Sequence, residues 1–485
     1  MDPVSVLDYR YGTEEMRDVF RANSYLNFLL EVEATLAEAQ ADIGIVPKKA
    51  AADIRKGIPL VKRERVEEIE SEINHDVMAV VKGLEEQVGN AGKWIHFGAT
   101  SYDIVDTARA LQHKKAINLI EKALSKLIDS IADLSAKHKD TVMLGRTHGQ
   151  WATPITFGLK MAVFTSELAR HMERLSQLKP RIMTGKLLGA VGSGAALHPN
   201  TLEVQTIVCK KLGLNEPLAT TQILGRDRIA EVIAWGANLA TSIEKFTLEV
   251  RNLQRSDIGE VAEAFNVEKQ VGSSTMAQKK NPITSENVGG LARIVRSVLY
   301  SSYENNLQWH ERDLANSSNE RIILPQFYIL LEFIIKKTEN VFSNLYVNKE
   351  KMKENISIPS RPKRKFVPEN LNIDSWKKVE PLFENLFKRS INSKNELENW
   401  MKDRSELNSV MNEDLAWRYI KMNINTKDEK LAKKFHFWIK EISPNLAPYS
   451  HKLNIKLIES PFLNELEHEK YNIYLRSVKK QIEIY

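Results

Sequence analysis

The 485-residue chain reads as all-α, a bundle of long helices with an extra C-terminal helical segment. Two apolar stripes and one absence carry that reading. Ile229, Val232, Gly236, Leu239, Ile243 and Phe246, continuing to Leu253, alternate at spacings of three and four. That is the sustained repeat of long helices packed side by side, and Gly236 within it allows a close approach. Phe164, Leu168, Met172 and Leu175 form a second stripe, whose helix is expected to end at Lys179-Pro180. Few segments alternate with the period of two that a half-buried strand requires.

Charged residues make 27% and hydrophobic ones 42%, ordinary values for a globular protein with a sizeable core. The net charge of +6 is too small to argue for nucleic acid. Cys209 is the single cysteine, so the chain has no internal disulfide framework and fits a reducing compartment. The N-terminus lacks a basic region followed by an apolar one, and no apolar run is long enough to span a bilayer. A cytoplasmic protein without a membrane segment is expected.

Composition changes along the chain. Gly290 is the last glycine, alanine becomes scarce after residue 300, and Lys, Asn and Glu dominate after Lys349. The stretch Ser357–Pro368 contains three prolines and four basic residues and reads as a linker. Its PKRK run has the look of a nuclear-import patch, but short basic runs are common in solvated linkers. Residues 369–485 read as further helices, with Trp376, Trp400, Trp417 and Trp438 as core anchors. No HExxH and no Cys/His zinc spacing occurs.

Four polar stretches interrupt the apolar helical runs: Asn74-His75-Asp76, His96–Ser101, Gly145-Arg-Thr-His-Gly149 and Gly272–Pro282 (GSSTMAQKKNP). A histidine beside glycines is exposed and permits a ligand to approach the backbone. The last stretch lacks the spacing and preceding strand of a phosphate-binding P-loop. Its Gly, Ser and Gln favour mobility, and Pro282 followed by Ile-Thr-Ser-Glu286 looks like a helix start. A mobile loop ending on a helix N-terminus suits an anion, with Lys279 and Asn281 as donors. Arg312, Ser317 and Arg321 form another polar cluster. The two arginines are nine positions apart, so a break between them is needed to aim both at one anion. The residues point to a small polyanionic substrate, a histidine acid or base, and a lid.

Gly272, Ser273, Met276, Lys279 and Asn281 resemble the G-S-x-x-M-x-x-K-x-N signature of the fumarase/aspartase superfamily. Within it, the chain is similar to adenylosuccinate lyases over residues 1–356. The stretches concerned are Arg10–Met16, His75–Ala79, His96–Asp103, Arg146–His148 with Thr156–Gly158, Thr221-Gln222 with Arg226-Asp227, and Arg312–Arg321. Ala277 stands where proline is common, and Gln278-Lys279-Lys280 resembles the argininosuccinate lyase version. The His75–Ala79, His96–Ser101 and Thr156–Gly158 stretches favour adenylosuccinate lyase.

The resemblance implies a long-helix bundle of the fumarase/aspartase type and a β-elimination releasing fumarate from adenylosuccinate and from the succinyl-carboxamide ribotide SAICAR. It implies no metal and no organic cofactor. By resemblance Ser273 is the base and His148 the acid, with Glu286 pairing with His148, Lys279 stabilising the base and His75 near the reacting centre. Thr100, Ser101, Thr147, Gln222 and Asn281 would hold succinyl carboxylates. Arg10, Tyr11, Arg312, Ser317 and Arg321 would hold phosphate and nucleotide. Asp76, His96, Ser274 and Met276 complete the substrate-binding set. The family's sites are composite, built from three subunits of a homotetramer. The implied domains are 1–105, then 106–356 with the signature loop at 270–286, a linker at 357–368 and a segment at 369–485. Residues 359–485 resemble the N-terminal helical region of M3-family oligoendopeptidases, whose zinc motif lies beyond that region. The resemblance thus implies a lyase without its own third domain joined to a peptidase fragment, with no peptidase activity.

Overall fold

A computed structural model of the protein describes residues 3–264 and 279–357. The linker and the 369–485 segment, like Ser273, Ser274 and Met276, lie outside the described residues. In chain order the helices are α1 (Glu14–Phe20), α2 (Ala22–Asp42), α3 (Lys48–Gly57), α4 (Arg63–Ile73), α5 (Asp76–Val88) and α6 (Ser101–Lys137). A hairpin of β1 (Val142–Thr147) and β2 (Gln150–Thr156) follows. Then come α7 (Phe157–Ile182), α8 (Thr201–Leu212), α9 (Asp227–Leu253), β3 (Val261–Ala262), α10 (Ile283–Glu304), α11 (Ala315–Ser343), β4 (Tyr346–Val347) and α12 (Lys349–Ser357). These residues form two compact units, 3–127 with 170–251 and 279–341, and 128–169 with 252–264 and 342–357.

Among the described residues the first unit is helical apart from one isolated bridge between Thr184 and Asn215. Local chemistry sets its breaks. Thr13 caps α1 by accepting the Met16 amide at 3.3 Å. Asn74 ends α4 in the left-handed conformation, which asparagine tolerates better than most residues. His75 then caps α5 through its ring nitrogen. The stripe of α9 is core: Leu239, Ile243 and Phe246 are fully buried. Gly236 meets the ring of Phe327 on α11, and a Cβ built there would lie 2.4 Å from Phe327 Cζ.

The second unit contains the elements the period-two test missed. β1 and β2 pair antiparallel, and β3 pairs with β4 over two residues. Phe164 meets Phe342 edge-on at 6.4 Å. The expected end of α7 at Lys179-Pro180 is corrected: the helix continues to Ile182 with Pro180 inside it. Pro180 removes its own bond to the Ser176 carbonyl, but the ladder resumes after it, with the Met183 amide donating to the Lys179 carbonyl at 3.0 Å. Thr184 Oγ1 donates to the Pro180 carbonyl at 3.1 Å. Among the described residues no helix is long and apolar enough to cross a membrane.

Gly236 lets two effects be set against each other. Alanine would gain about 1 kcal/mol of helix propensity. The methyl would also press on Phe327, which is fully buried and held edge-on by Tyr328 at 4.9 Å. Overpacking of this kind costs about 1–3 kcal/mol, so the clash should win. Gly236→Ala is expected to lower the urea midpoint; a raised midpoint would show that the helix approach is not tight.

Candidate active site

The first two turns of α6 form a hub in the first unit. Asp103 is buried and pairs with the buried Lys186 ammonium at 2.6 Å. Its carboxylate also accepts the Thr100 amide at 2.9 Å and the Gly189 amide at 3.1 Å. Lys186 Nζ donates in turn to the Gly189 carbonyl at 3.0 Å. One turn later Asp106 takes Arg226 at 2.8 Å and accepts the Leu224 amide at 2.7 Å. The other side of the Arg226 guanidinium reaches Glu320 at 2.8 Å, and Asn316 braces Glu320 at 2.9 Å. Arg226 is held fully charged: burial opposes the charge, but Asp106 and Glu320 overcome it and push its pKa up.

Three loops hang from this hub and are tied to one another. Gln222 donates to the Ala190 carbonyl at 2.9 Å, and its own amide donates to the Glu311 carbonyl at 3.2 Å. Arg312 Nη1 donates to Gln222 Oε1 at 2.7 Å. The Arg312 guanidinium also lies 3.6 Å from the centroid of the Tyr102 ring, while Arg226 lies 5.8 Å from it. The buried Arg312 Nε has no partner among the described residues. α11 starts only at Ala315, so the break expected between Arg312 and Arg321 is present.

On α11, Arg321 pairs with Asp76 at 2.7 Å. Asp76 Oδ1 also accepts the Val77 amide at the start of α5. The Arg321 and Asp76 charges both act on Tyr25, whose ring lies 4.7 Å from the Arg109 guanidinium. Burial pushes the Tyr25 phenol up, with Arg109 opposing. Neighbouring His75 accepts the Met78 amide through Nδ1 at 3.2 Å, which leaves the proton on Nε2. Thr100 and Ser101, at the start of α6, are half-buried, as is Ser317. His96 sits just before them, its Nδ1 2.7 Å from Glu33.

The structure therefore pairs Gln222 with Arg312 and Asp76 with Arg321, and sets His75, His96, Thr100 and Ser101 at or just before the starts of α5 and α6. It does not bring Arg10 and Tyr11 to them. Tyr11 packs on Phe333 at 5.9 Å, and Phe333 is about 18 Å along α11 from Arg321 at the helical rise. Lys279 is exposed, and Asn281 precedes α10 with its carbonyl accepting the Ile283 amide at 2.9 Å. Glu286 lies exposed in the first turn of α10.

In the second unit, Thr147 and His148 stand exposed at the tip of the β1–β2 hairpin. His148 and Gly149 are its two turn residues, with φ of 53° and 70°, the geometry of a tight two-residue hairpin. Gly145 is not a ligand approach: a Cβ there would sit 2.5 Å from the Thr153 carbonyl oxygen. Arg146 is turned inward. It grips the fully buried Glu260 with two bonds of 2.9 and 2.7 Å, and Asn355 donates to Glu260 at 2.8 Å. This bidentate pair fixes the hairpin base and leaves the tip presented.

Sequence reasoning missed Glu33, Tyr25, Tyr102, Asp103, Asp106, Arg109, Lys186 and Glu320. The signal was there in part. Asp103 and Asp106 interrupt an apolar run in SYDIVDTARA, and a charge in such a place needs a partner when buried. Among the described residues no cluster of His, Cys, Asp or Glu could hold a metal ion.

Sequence comparison gives this arrangement its class first. Residues 8–297 match the family described as Lyase. Among solved structures, a fumarate lyase from Mesorhizobium sp. BNC1 is 26% identical with a TM-score of 0.68, covering 97% of this chain and 99% of that chain. A 3-carboxy-cis,cis-muconate lactonizing enzyme from Pseudomonas putida shares the fold, at a TM-score of 0.69 and 24% identity over 98% of this chain and 99% of that one. The adenylosuccinate lyase of Pyrococcus abyssi is 48% identical over 73% of this chain and 79% of that protein. That of Methanothermobacter thermautotrophicus is 46% identical over 72% and 79%. The chain belongs to the adenylosuccinate lyase family of lyases. Residues 366–485 instead match the Peptidase M3 N-terminal domain.

Replacing Arg226 tests the hub. Arg226→Met would leave Asp106 and Glu320 as uncompensated buried carboxylates, a loss of about 3–5 kcal/mol. The expected result is a large fall in the denaturant midpoint, and a midpoint within error of wild type would contradict the network.

Proposed function

We propose that the chain eliminates fumarate from adenylosuccinate, giving AMP, and from SAICAR, giving AICAR. The observation that carries the reading is the pairing of Gln222 with Arg312 and of Asp76 with Arg321, drawn from three separate stretches, in a chain 48% identical to an adenylosuccinate lyase. The alternatives of an argininosuccinate lyase-like enzyme and a catalytically weakened member are separated by the assay below.

The chemistry requires a base, an acid and fixed cations. Ser273 removes the proton from the carbon beside a succinyl carboxylate. The electron pair flows into that carboxylate, making an aci-carboxylate with added negative charge. Fixed donors are worth most where that charge develops. The pair then forms the double bond of fumarate as the C–N bond breaks, and His148 protonates the departing nitrogen. Serine is a poor base unless its alkoxide is stabilised, a task for Lys279 and the positive end of α10. Glu286 orients His148. Arg312, Ser317 and Arg321 hold the nucleotide, joined by Arg10 and Tyr11 once neighbouring chains complete the site. Thr100, Ser101, Thr147, Gln222 and Asn281 hold the carboxylates, while His75, Asp76, His96, Ser274 and Met276 line the site.

We further propose a cytoplasmic homotetramer in which neighbouring chains complete each site. The exposed tip bearing Thr147 and His148 supports this, as do the exposed Ile283 and Ile294 on one face of α10 (51% and 40% exposed), which a helix-to-helix contact would cover. The segment from 366 carries no proposed peptidase role.

The purified full chain mixed with adenylosuccinate is expected to release fumarate, detected by chromatography, and to elute as a tetramer on gel filtration. A soluble tetramer that releases none would overturn the substrate assignment. A monomer that releases none would instead favour the weakened member. Ser273→Ala and His148→Gln should each cut turnover strongly while leaving substrate binding largely intact. Wild-type turnover in either variant would remove that residue from its role.

A further inference from the structure

Glu33 lies on α2, far in sequence from every polar stretch that marks the site, and is almost wholly buried. A buried carboxylate needs partners. Both oxygens of this one are spent on a single residue. Oε1 lies 2.7 Å from His96 Nδ1, and Oε2 accepts the His96 backbone amide at 3.1 Å. The grip explains the His96 backbone, held at a φ of 59° that non-glycine residues rarely adopt. It also fixes the ring: Nδ1–H donates to Glu33, so Nε2 is left facing away, and it makes no hydrogen bond among the described residues. Next door the Phe97 carbonyl accepts from Gln40 Nε2 at 2.7 Å, so the loop has a second, uncharged tie to α2.

We propose that Glu33 is a positioning residue that keeps His96 as a fixed imidazolium, so that its Nε2–H is offered to an anionic group of the substrate. The proposal rests on the lyase reading above for the identity of that substrate. The anion is a carboxylate of the succinyl part or the phosphate, both of which take a charged N–H donor.

The charges that act on the ring are consistent with this role. Burial works against the imidazolium, but the hydrogen bond and charge of Glu33, aided by Asp103 of α6, overcome it and raise the His96 pKa above the ordinary imidazole value. Asp103 is itself matched by Lys186, so Glu33 supplies the larger share. With glutamine at 33, the burial effect stands nearly alone and the pKa should fall below the ordinary value. Well below the lowered pKa both proteins carry the imidazolium and should bind anions alike. The difference opens as pH rises past the lowered pKa, and closes again above the raised one.

The test uses the full chain with histidine labelled at Cε1. His96 is assigned by the loss of its signal in His96→Gln, and titrated by NMR in wild type and Glu33→Gln. AMP and fumarate binding, which need no turnover, are measured on both proteins by calorimetry at a pH between the two His96 titration midpoints found by NMR. Glutamine keeps an acceptor for the His96 amide, so the fold should survive. The expected result is a fall in the His96 pKa of about one unit or more, the size of shift that a lost close charge produces. With it should come an order-of-magnitude weaker affinity for one product. A loss confined to AMP assigns the ring to phosphate, and a loss confined to fumarate assigns it to a carboxylate. An unchanged pKa would overturn the proposal, and so would a lowered pKa with both affinities intact. A wild-type chain that binds both products yet releases no fumarate would sink the lyase reading while leaving Glu33 and His96 in place.

Discussion

Two buried ion pairs on successive turns of α6, Asp103–Lys186 and Asp106–Arg226, organise the first unit. Buried pairs are poor sources of net stability, because desolvating both charges offsets most of their attraction. What they supply is position. Each carboxylate also accepts backbone amides, so each fixes a loop as well as a side chain. The loop at 185–194 is held by Lys186 and Gly189, the loop at 221–226 by Leu224 and Arg226. The loop carrying Arg312 is held against Tyr102 and Gln222. Gln222, in the second of these loops, bonds to the other two, which makes them one assembly rather than three flexible connections.

This assembly places cationic groups without leaving them to find one another. Arg312 is stacked on Tyr102, and Arg321 is aimed by Asp76. Holding such groups in place beforehand reduces the reorganisation needed when charge develops in a reaction. The second unit applies the same device at the hairpin. Arg146 and Glu260 spend their charges on each other at the base, and Thr147 and His148 stand exposed at the tip. The exposed tip is what a subunit would present if it completed a neighbour's site.

The long helices are legible in the sequence because their core stripes are regular. The α9 repeat carries even the reason for Gly236, since a glycine on an apolar stripe marks a place where a second helix comes close. Pro180 misleads because it removes one bond of the helix without stopping it, and the Met183 amide still reaches the Lys179 carbonyl. The hairpin at 142–156 escapes the period-two test although Thr-His-Gly-Gln is a two-residue turn with β-branched and aromatic residues around it. Its strands are short, one carries a bulge, and period two is broken there. The polar stretches at 75, 96, 145 and 312 are visible because reactive residue types crowd them. Glu33, Lys186 and Glu320 are not, since each is a lone charge on an ordinary helix or loop and acquires meaning only from the partner that folding brings to it.

The central claim is that the charge pairs of α6 hold three loops as one unit. Hydrogen exchange of wild type and the double variant Asp103→Asn/Lys186→Met measures this directly, because removing both charges leaves no unpaired ion behind. The account predicts faster amide exchange in 185–194, in 221–226 and around Arg312 together, with the α9 core unchanged. Faster exchange confined to 185–194, or none at all, would contradict it.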